Sequence, residues 1–244
     1  MDKKDFLLYA FNMKNPKKFV IALGGSIVFQ EEIDLDFLKK FYAFIKSRIL
    51  KYNNKFIIVI GGGAITRKYQ QAASKISKVS NEDKDWLGIH ATRLNAHLIR
   101  TIFKKQANPV IFEQRFKIKN FGKYSLIIGA GWKPGWSTDF VACQIAVDFK
   151  ISKVIILGHP DYVYTKDPRK HKNAKPIKKI TWQNYLKLIP KKWSPGLHAP
   201  VDPIAARLSQ KENLEAVVAN ALDLRNLQRI LNSQIFKGTV LGNN

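Results

Sequence analysis

Three consecutive glycines, Gly61-Gly62-Gly63, follow the unbroken apolar run Phe56 to Ile60 and precede a stretch of helical periodicity. A run that is apolar at every position is the pattern of a strand buried on both faces. Such a turn brings backbone N–H groups, with no side chain in the way, to the start of a helix. Free amides and the positive end of the helix dipole both favour an anion there. The plain alternative is a tight strand-to-helix turn with no ligand. Three further apolar runs end in small-residue turns: Lys18 to Leu23 in Gly24-Gly25-Ser26, Tyr124 to Ile128 in the segment Gly129 to Ser137, and Val154 to Leu157 in Gly158-His159-Pro160-Asp161. One glycine turn is weak. Four of them on parallel strands share one sheet edge and line one crevice.

Other chemistries lack their residues. There is no Gly-x-Ser-x-Gly, and His90, His97, His159, His171 and His198 show no paired metal spacing such as His-Glu-x-x-His. His90 and His97 read as packing or surface residues. The single Cys143 rules out a disulfide framework and a multi-cysteine metal site and points to a reducing compartment. The Walker pattern and Gly-x-Gly-x-x-Gly are both missing. Several anion-holding turns without a nucleophile suit phosphoryl transfer, in which the protein positions two anions in line and neutralises charge, with Mg2+ bridging the phosphates.

The elements that must position these turns alternate. Asp34-Leu35-Asp36 opens a helix with Phe37, Leu38, Phe41, Phe44, Ile45 and Ile49 at helical spacing, ending at Asn53-Asn54. Helices are expected over 64–78, 83–105, 137–149, 182–189, 203–210 and 224–231, with a weak strand at 110–112 and strands at 215–219 and 238–241. This predicts an α/β fold with a mainly parallel central sheet sandwiched by helices and ligands at the strands' carboxyl ends. At 244 residues the chain suits one domain over 17–244, with 1–16 as an N-terminal extension.

Charge is extreme: 42 Lys and Arg against 18 Asp and Glu. Such a field attracts nucleotides, nucleic acid or anionic membranes. Lysines are spread over every expected surface helix, however, and the densest run, Lys166 to Lys179, reads as a solvated surface in preference to a nucleic-acid footprint. No stretch approaches the ~20 apolar residues of a membrane-spanning helix, and the short run Phe6 to Phe11 makes a poor signal peptide. The expected location is the cytoplasm.

Taken together, Leu-Gly-Gly-Ser (23–26), Gly-Gly-Gly-Ala-Ile-Thr-Arg-Lys-Tyr (61–69), Asp-Trp-Leu-Gly-Ile-His-Ala-Thr-Arg-Leu-Asn-Ala (85–96), Gly-Trp-Lys-Pro-Gly-Trp-Ser-Thr-Asp (131–139), Asp-Tyr-Val-Tyr-Thr-Lys-Asp-Pro (161–168) and Asp-Pro-Ile-Ala-Ala-Arg (202–207) resemble the amino acid kinase superfamily, and within it the archaeal-type uridylate (UMP) kinases. The motifs keep the family's order over residues 18–241. The resemblance implies transfer from ATP to UMP with Mg2+ and no covalent intermediate, an acceptor-binding part over about 17–150, an ATP-binding part over about 151–244, and a homohexamer. It implies that Gly25, Ser26 and Gly63 serve the donor phosphates, with Gly158, His159, Tyr164 and Asp167 holding the rest of ATP. UMP falls to Gly62, Asp85 on the ribose, and the loop Trp132, Lys133, Pro134, Gly135, Trp136, Ser137 and Thr138. Arg67, which also serves the nucleotide phosphates, Lys133 and Asp202 are the catalytic candidates. No residue is assigned as a metal ligand. The duller readings are a helix-start acid for Asp85, a surface charge for Arg67 and packing for Tyr164.

The match has gaps. Many superfamily members carry a lysine two residues before the first glycine pair, where Ala22 stands. Lys17, Lys18, Lys133, Lys166 and Arg207 are the candidate replacements. On the donor side Tyr162 stands where the family has glycine, and Pro160 removes a backbone donor. Isopentenyl phosphate kinases share the fold, but their histidine after the glycine turn is replaced by Ala64-Ile65-Thr66-Arg67. Two alternatives stand beside UMP kinase: a non-catalytic nucleotide- or nucleic-acid-binding relative, and a kinase of this fold acting on another small phosphate acceptor.

Overall fold

The computed structural model describes residues 16–192 and 199–244. The expected N-terminal extension, apart from Pro16, lies outside the described residues, as does His198. The chain runs through β1 (Lys18–Leu23), α1 (Gly25–Val28), α2 (Leu35–Tyr52), β2 (Lys55–Ile60), α3 (Gly63–Ile76) and α4 (Asn81–Ile102). It continues through β3 (Leu126–Gly129), α5 (Thr138–Asp148), β4 (Lys153–Gly158), β5 (Val163–Tyr164), β6 (Pro176–Ile177) and β7 (Lys179–Thr181). The last part comprises α6 (Trp182–Leu188), α7 (Pro203–Lys211), β8 (Glu215–Asn220), α8 (Leu224–Leu231) and β9 (Thr239–Gly242).

Seven strands form one sheet in the order β3-β2-β1-β4-β8-β9-β7, and β5 pairs with β6 in a separate two-stranded hairpin. The first five strands in that order are mutually parallel; β9 runs antiparallel to β8 and parallel to β7. The four strands that end in small-residue turns are the contiguous set β3-β2-β1-β4, so their carboxyl ends do share one edge.

Strand alternation divides the core into two layers. Ile21, Leu23, Ile58, Ile60, Ile155 and Leu157 face α2, α4 and α8, whereas Val20, Ala22, Ile57, Val59, Val154 and Ile156 face α5, α6 and α7. Runs apolar on both faces are therefore what a sheet covered on both sides requires. Caps set the flanking helices. Asp34 accepts from the Phe37 amide at 2.8 Å, and Asn53 ends α2 in the left-handed region at φ 50°. Ser80 and Asp83 form a reciprocal capping box at the start of α4.

Three departures from expectation have local causes. Residues 110–112 do not form a strand: beside Pro109 only Phe112 pairs, as an isolated bridge to Gly129. The four-residue α1 is too short to show a period. The strands β5, β6 and β7 are two or three residues long and carry no alternation to read.

Candidate active site

The site is assembled from two glycine turns that touch through their backbones. The Gly61 amide donates to Leu23 O at 2.9 Å and the Gly24 amide to Leu157 O at 2.8 Å, which locks β2, β1 and β4 together where the chain leaves the sheet. A methyl group on Gly25 would overlap the Gly63 nitrogen and the Gly61 carbonyl, and one on Gly61 would come within 2.5 Å of the Gly25 nitrogen. Gly63 has φ +71°, a conformation that L side chains rarely adopt. Glycine is thus dictated here by contact as well as by dihedral. Gly25 and Ser26 open α1, while Gly62 caps α3 and Gly63 begins it. Amides in these positions have no intrahelical acceptor and point off the helix start.

Helix α4 holds the second turn in place. Buried Asn95 donates from Nδ2 to Gly61 O at 2.9 Å and to Gly62 O at 3.1 Å. One turn earlier, the Thr92 hydroxyl donates to Ile89 O at 2.6 Å and accepts from the Gly131 amide at 2.8 Å. One helix thereby fixes both the glycine turn and the start of the loop after β3. Thr92 and Asn95 were not among the expected site residues. Their signal lay in the pattern, as two polar residues three apart on a face otherwise made of Ile89, Ala96 and Ile99.

Asp85, in α4, is half-buried, and its Oδ2 accepts from the Gly135 amide at 2.8 Å. Burial raises its carboxyl above the usual range, while the Gly135 hydrogen bond opposes that rise. Gly135 has φ +82° and open space around it, so it is glycine for its dihedral alone. Around it Trp132 is buried and donates its indole N–H inward to Phe112 O at 3.0 Å. Lys133 is exposed, with Nζ 4.2 Å from the Trp136 ring centre, and Trp136 packs 4.5 Å from Phe140. Pro134 is half-buried beside them. The loop is thus built on an aromatic base with Lys133 as its outward cation.

The loop ends at Ser137, which caps α5 by accepting from the Phe140 amide at 3.0 Å and donates to Asp202 Oδ2; Thr138 is the first helical residue. Asp202 caps α7, its Oδ1 accepting from Ile204 and Ala205 at 2.8 and 3.1 Å. Asp139 lies against it. Burial, and then the Asp202 charge, push the Asp139 carboxyl up to about 8, and burial raises Asp202 too. Asp139 also went unassigned on sequence, although it ends the motif at 131–139. Its meaning depends on Asp202, 63 residues away, which no local spacing reveals.

The remaining candidates are scattered. Arg67 is exposed one turn into α3, with Nη1 3.5 Å from Gly63 O. Gly158 ends β4 beside Gly24, and His159 is exposed. Tyr164 sits on β5; burial, then Asp161 and Tyr162, raise its phenol. Half-buried Asp167 is gripped by Arg169 at 3.1 Å on each carboxylate oxygen. Of the proposed replacement cations, Lys17 and Lys18 are placed at the wrong end. They precede or begin β1, six residues and about 20 Å from the glycine turn at its other end. Arg207 lies on α7, acts on Asp202 and donates to Lys191 O.

Known proteins share both sequence and geometry. The chain is 31% identical to the uridylate kinase of Methanococcus aeolicus over 92% of this chain and 99% of that one. It is similar to the crystal structure of uridylate kinase from Archaeoglobus fulgidus, with a TM-score of 0.75 and 25% identity over 93% of this chain and 100% of that one. The UMP kinase of Bacillus anthracis shares the fold, with a TM-score of 0.76 at 20% identity over 94% and 98% of the two chains. The model of the amino acid kinase family matches residues 17–120 and 129–220, a span that takes in both glycine turns, Asp85, the loop after β3 and the Asp139–Asp202 pair. With fold, turns and sequence in agreement over that span, the chain belongs to the amino acid kinase family.

Proposed function

We propose that the protein is a uridylate kinase, transferring the γ-phosphoryl group of ATP to UMP by direct in-line displacement in the cytoplasm, as a homo-oligomer read from family resemblance as a hexamer. The observation that carries this reading is the backbone contact between the Gly24-Gly25 and Gly61-Gly62-Gly63 turns. Two anion-holding helix starts in contact set two phosphates side by side, and for phosphoryl transfer such positioning is most of the catalysis. In this reading Gly25, Ser26 and the adjoining Gly63 receive the donor phosphates and Gly62 the acceptor UMP. Asp85 and the loop at 132–138 hold the UMP nucleoside. A carboxylate with one oxygen engaged by Gly135 keeps the other for ribose hydroxyls.

Residues 17–150 then form the acceptor part and 151–244 the ATP part. Tyr164 and Asp167 would bear on the ATP base and ribose, which requires Asp167 to leave Arg169. Lys133 is the cation best placed to stand in for the lysine missing at Ala22, since it belongs to the loop on the same sheet edge. Magnesium would arrive with ATP, as the family resemblance implies; the Asp139–Asp202 pair does not fit it, because both Asp202 oxygens are engaged by Ser137, Ile204 and Ala205 and the Asp139 carboxyl, raised to about 8, keeps its proton at neutral pH. When bound with ATP, magnesium would supply positive charge to neutralise the phosphoryl group in transfer. The test is a coupled assay of the purified chain with ATP and each nucleoside monophosphate, or isopentenyl phosphate. UMP should give the highest kcat/KM; equal or better turnover of another acceptor would overturn the assignment.

A further inference from the structure

The densest basic run, which reads on sequence as a solvated surface, takes a different aspect once folded. Seven of the fourteen residues 166–179 are Lys or Arg against one acid, Asp167, whereas 35 stand against 17 in the other 230 residues. Lys166, Arg169, Lys170, Lys172, Lys175, Lys178 and Lys179 are all exposed. Asp167 is taken by Arg169, and among the described residues the other six cations of the run have no ion-pair partner. Elsewhere a few cations meet acids, as in Arg115–Asp148 at 2.7 Å, Lys117–Glu113 at 2.8 Å and Lys153–Glu215 at 2.6 Å. The run carries a net +6 in 14 residues against +18 in the other 230, so the unpaired charge, although spread along the whole chain, is densest here.

That part is ordered. The β5–β6 hairpin is anchored at its base by Thr239, whose Oγ1 accepts from the Val163 amide at 2.8 Å and donates to Ile177 O. Its excursion is held by Thr165 N to Lys175 O at 3.0 Å, His171 N to Asp167 O at 3.0 Å and Ala174 N to His171 O at 3.0 Å. It leads directly into β7, the terminal strand of the main sheet. Lysines on an edge strand also deter edge-to-edge pairing, but that role needs none of the four lysines on the hairpin excursion.

We propose that the β5–β6 hairpin and the edge strand β7 form a docking surface for the phosphodiester backbone of nucleic acid, recognised without regard to base sequence. Rows of unpaired cations release counterions on meeting such a backbone. The excursion bears no exposed Phe, Tyr or Trp ring on which a base could stack, only the His171 imidazole, which makes the contact chiefly one of charge and shape. An anionic membrane fits less well, since no large apolar side chain is exposed between Tyr162 and Lys187 to enter a bilayer.

The test uses the full chain and a fluorescent 20-nucleotide RNA of mixed sequence, with the matching single-stranded DNA, read by anisotropy between 50 and 200 mM NaCl. The variant Lys170→Glu/Lys172→Glu/Lys175→Glu should bind both at least roughly tenfold more weakly, with the slope of log K against log salt reduced by about 2. Phosphoryl transfer should persist, which shows the variant folded. A control, Lys39→Glu/Lys40→Glu/Lys51→Glu on α2, should bind nearly as wild type. An equal loss in the control, no loss in the hairpin variant, or tighter binding to phosphatidylserine vesicles than to RNA would each overturn the proposal.

Discussion

Lys133 and Asp139 carry the sharpest consequences at the scale of the residue. If Lys133 supplies the charge that Ala22 cannot, Lys133→Ala should lower kcat by about 10²- to 10³-fold with little change in KM for ATP, the scale of losing one preorganised stabiliser. Lys18→Ala should leave the rate unchanged, since Lys18 begins β1 at the far end from the turn. Steady-state kinetics of the two variants make the comparison. Asp139 predicts a pH effect. Its pKa is raised in the fold from 3.8 to about 8, so the folded state holds the proton more tightly than the unfolded one. Stability from this group is therefore complete below about pH 4 and is lost as pH rises toward 8. Relative to wild type, Asp139→Asn should gain in Tm between pH 5 and pH 8. A difference in Tm that stays constant over that range would contradict the raised pKa.

Elements decide why the turns must be glycine. Two strand ends, β1 and β2, deliver turns that leave no room for a Cβ between them, and the start of α3 depends on the same contact. Gly25→Ala should destabilise the protein by about 3 kcal/mol, the upper range for overpacking, because the obstruction is backbone that cannot rotate away. Urea denaturation measures it; a loss below about 1 kcal/mol would mean that the turns part easily. The glycine pattern made these turns visible in the sequence because buried strands and permissive turns are both local signals. The fastening of the turn by Asn95 was not visible, since a helix residue and a turn 33 positions earlier meet only through the packing of α4 on the sheet. Likewise the Asp85–Gly135 link joins a helix to a loop 50 residues on.

For the molecule as a whole, the sheet's two-sided burial was legible from apolar runs, and its mainly parallel sense followed from alternation with helices, whereas the strand order was not read. The hairpin β5–β6 and the reversal at β9 were not, because two- to four-residue strands carry too little pattern to fix direction. The interior is closed around the lone thiol. Cys143 is fully buried, receives the Ser209 hydroxyl at 3.3 Å, and is pushed up to about 12 by burial, with Asp139 and Asp202 adding to the rise. Iodoacetamide at pH 8 should therefore label it only through opening of the fold, at a rate that follows urea-induced unfolding; rapid labelling of the native protein would show a breach between α5 and α7.

The aromatic base of the loop after β3 has an optical consequence. Trp132 and Trp136 stand 6.0 Å apart, with the Lys133 ammonium over the outer indole, whereas Trp182 is sealed inside with its N–H on Leu214 O at 2.8 Å. The emission of the loop pair will respond to whatever draws Lys133 away, while that of Trp182 stays constant, so a chain with Trp86 and Trp193 replaced by Phe would carry its own fluorescent gauge of acceptor binding with no added label.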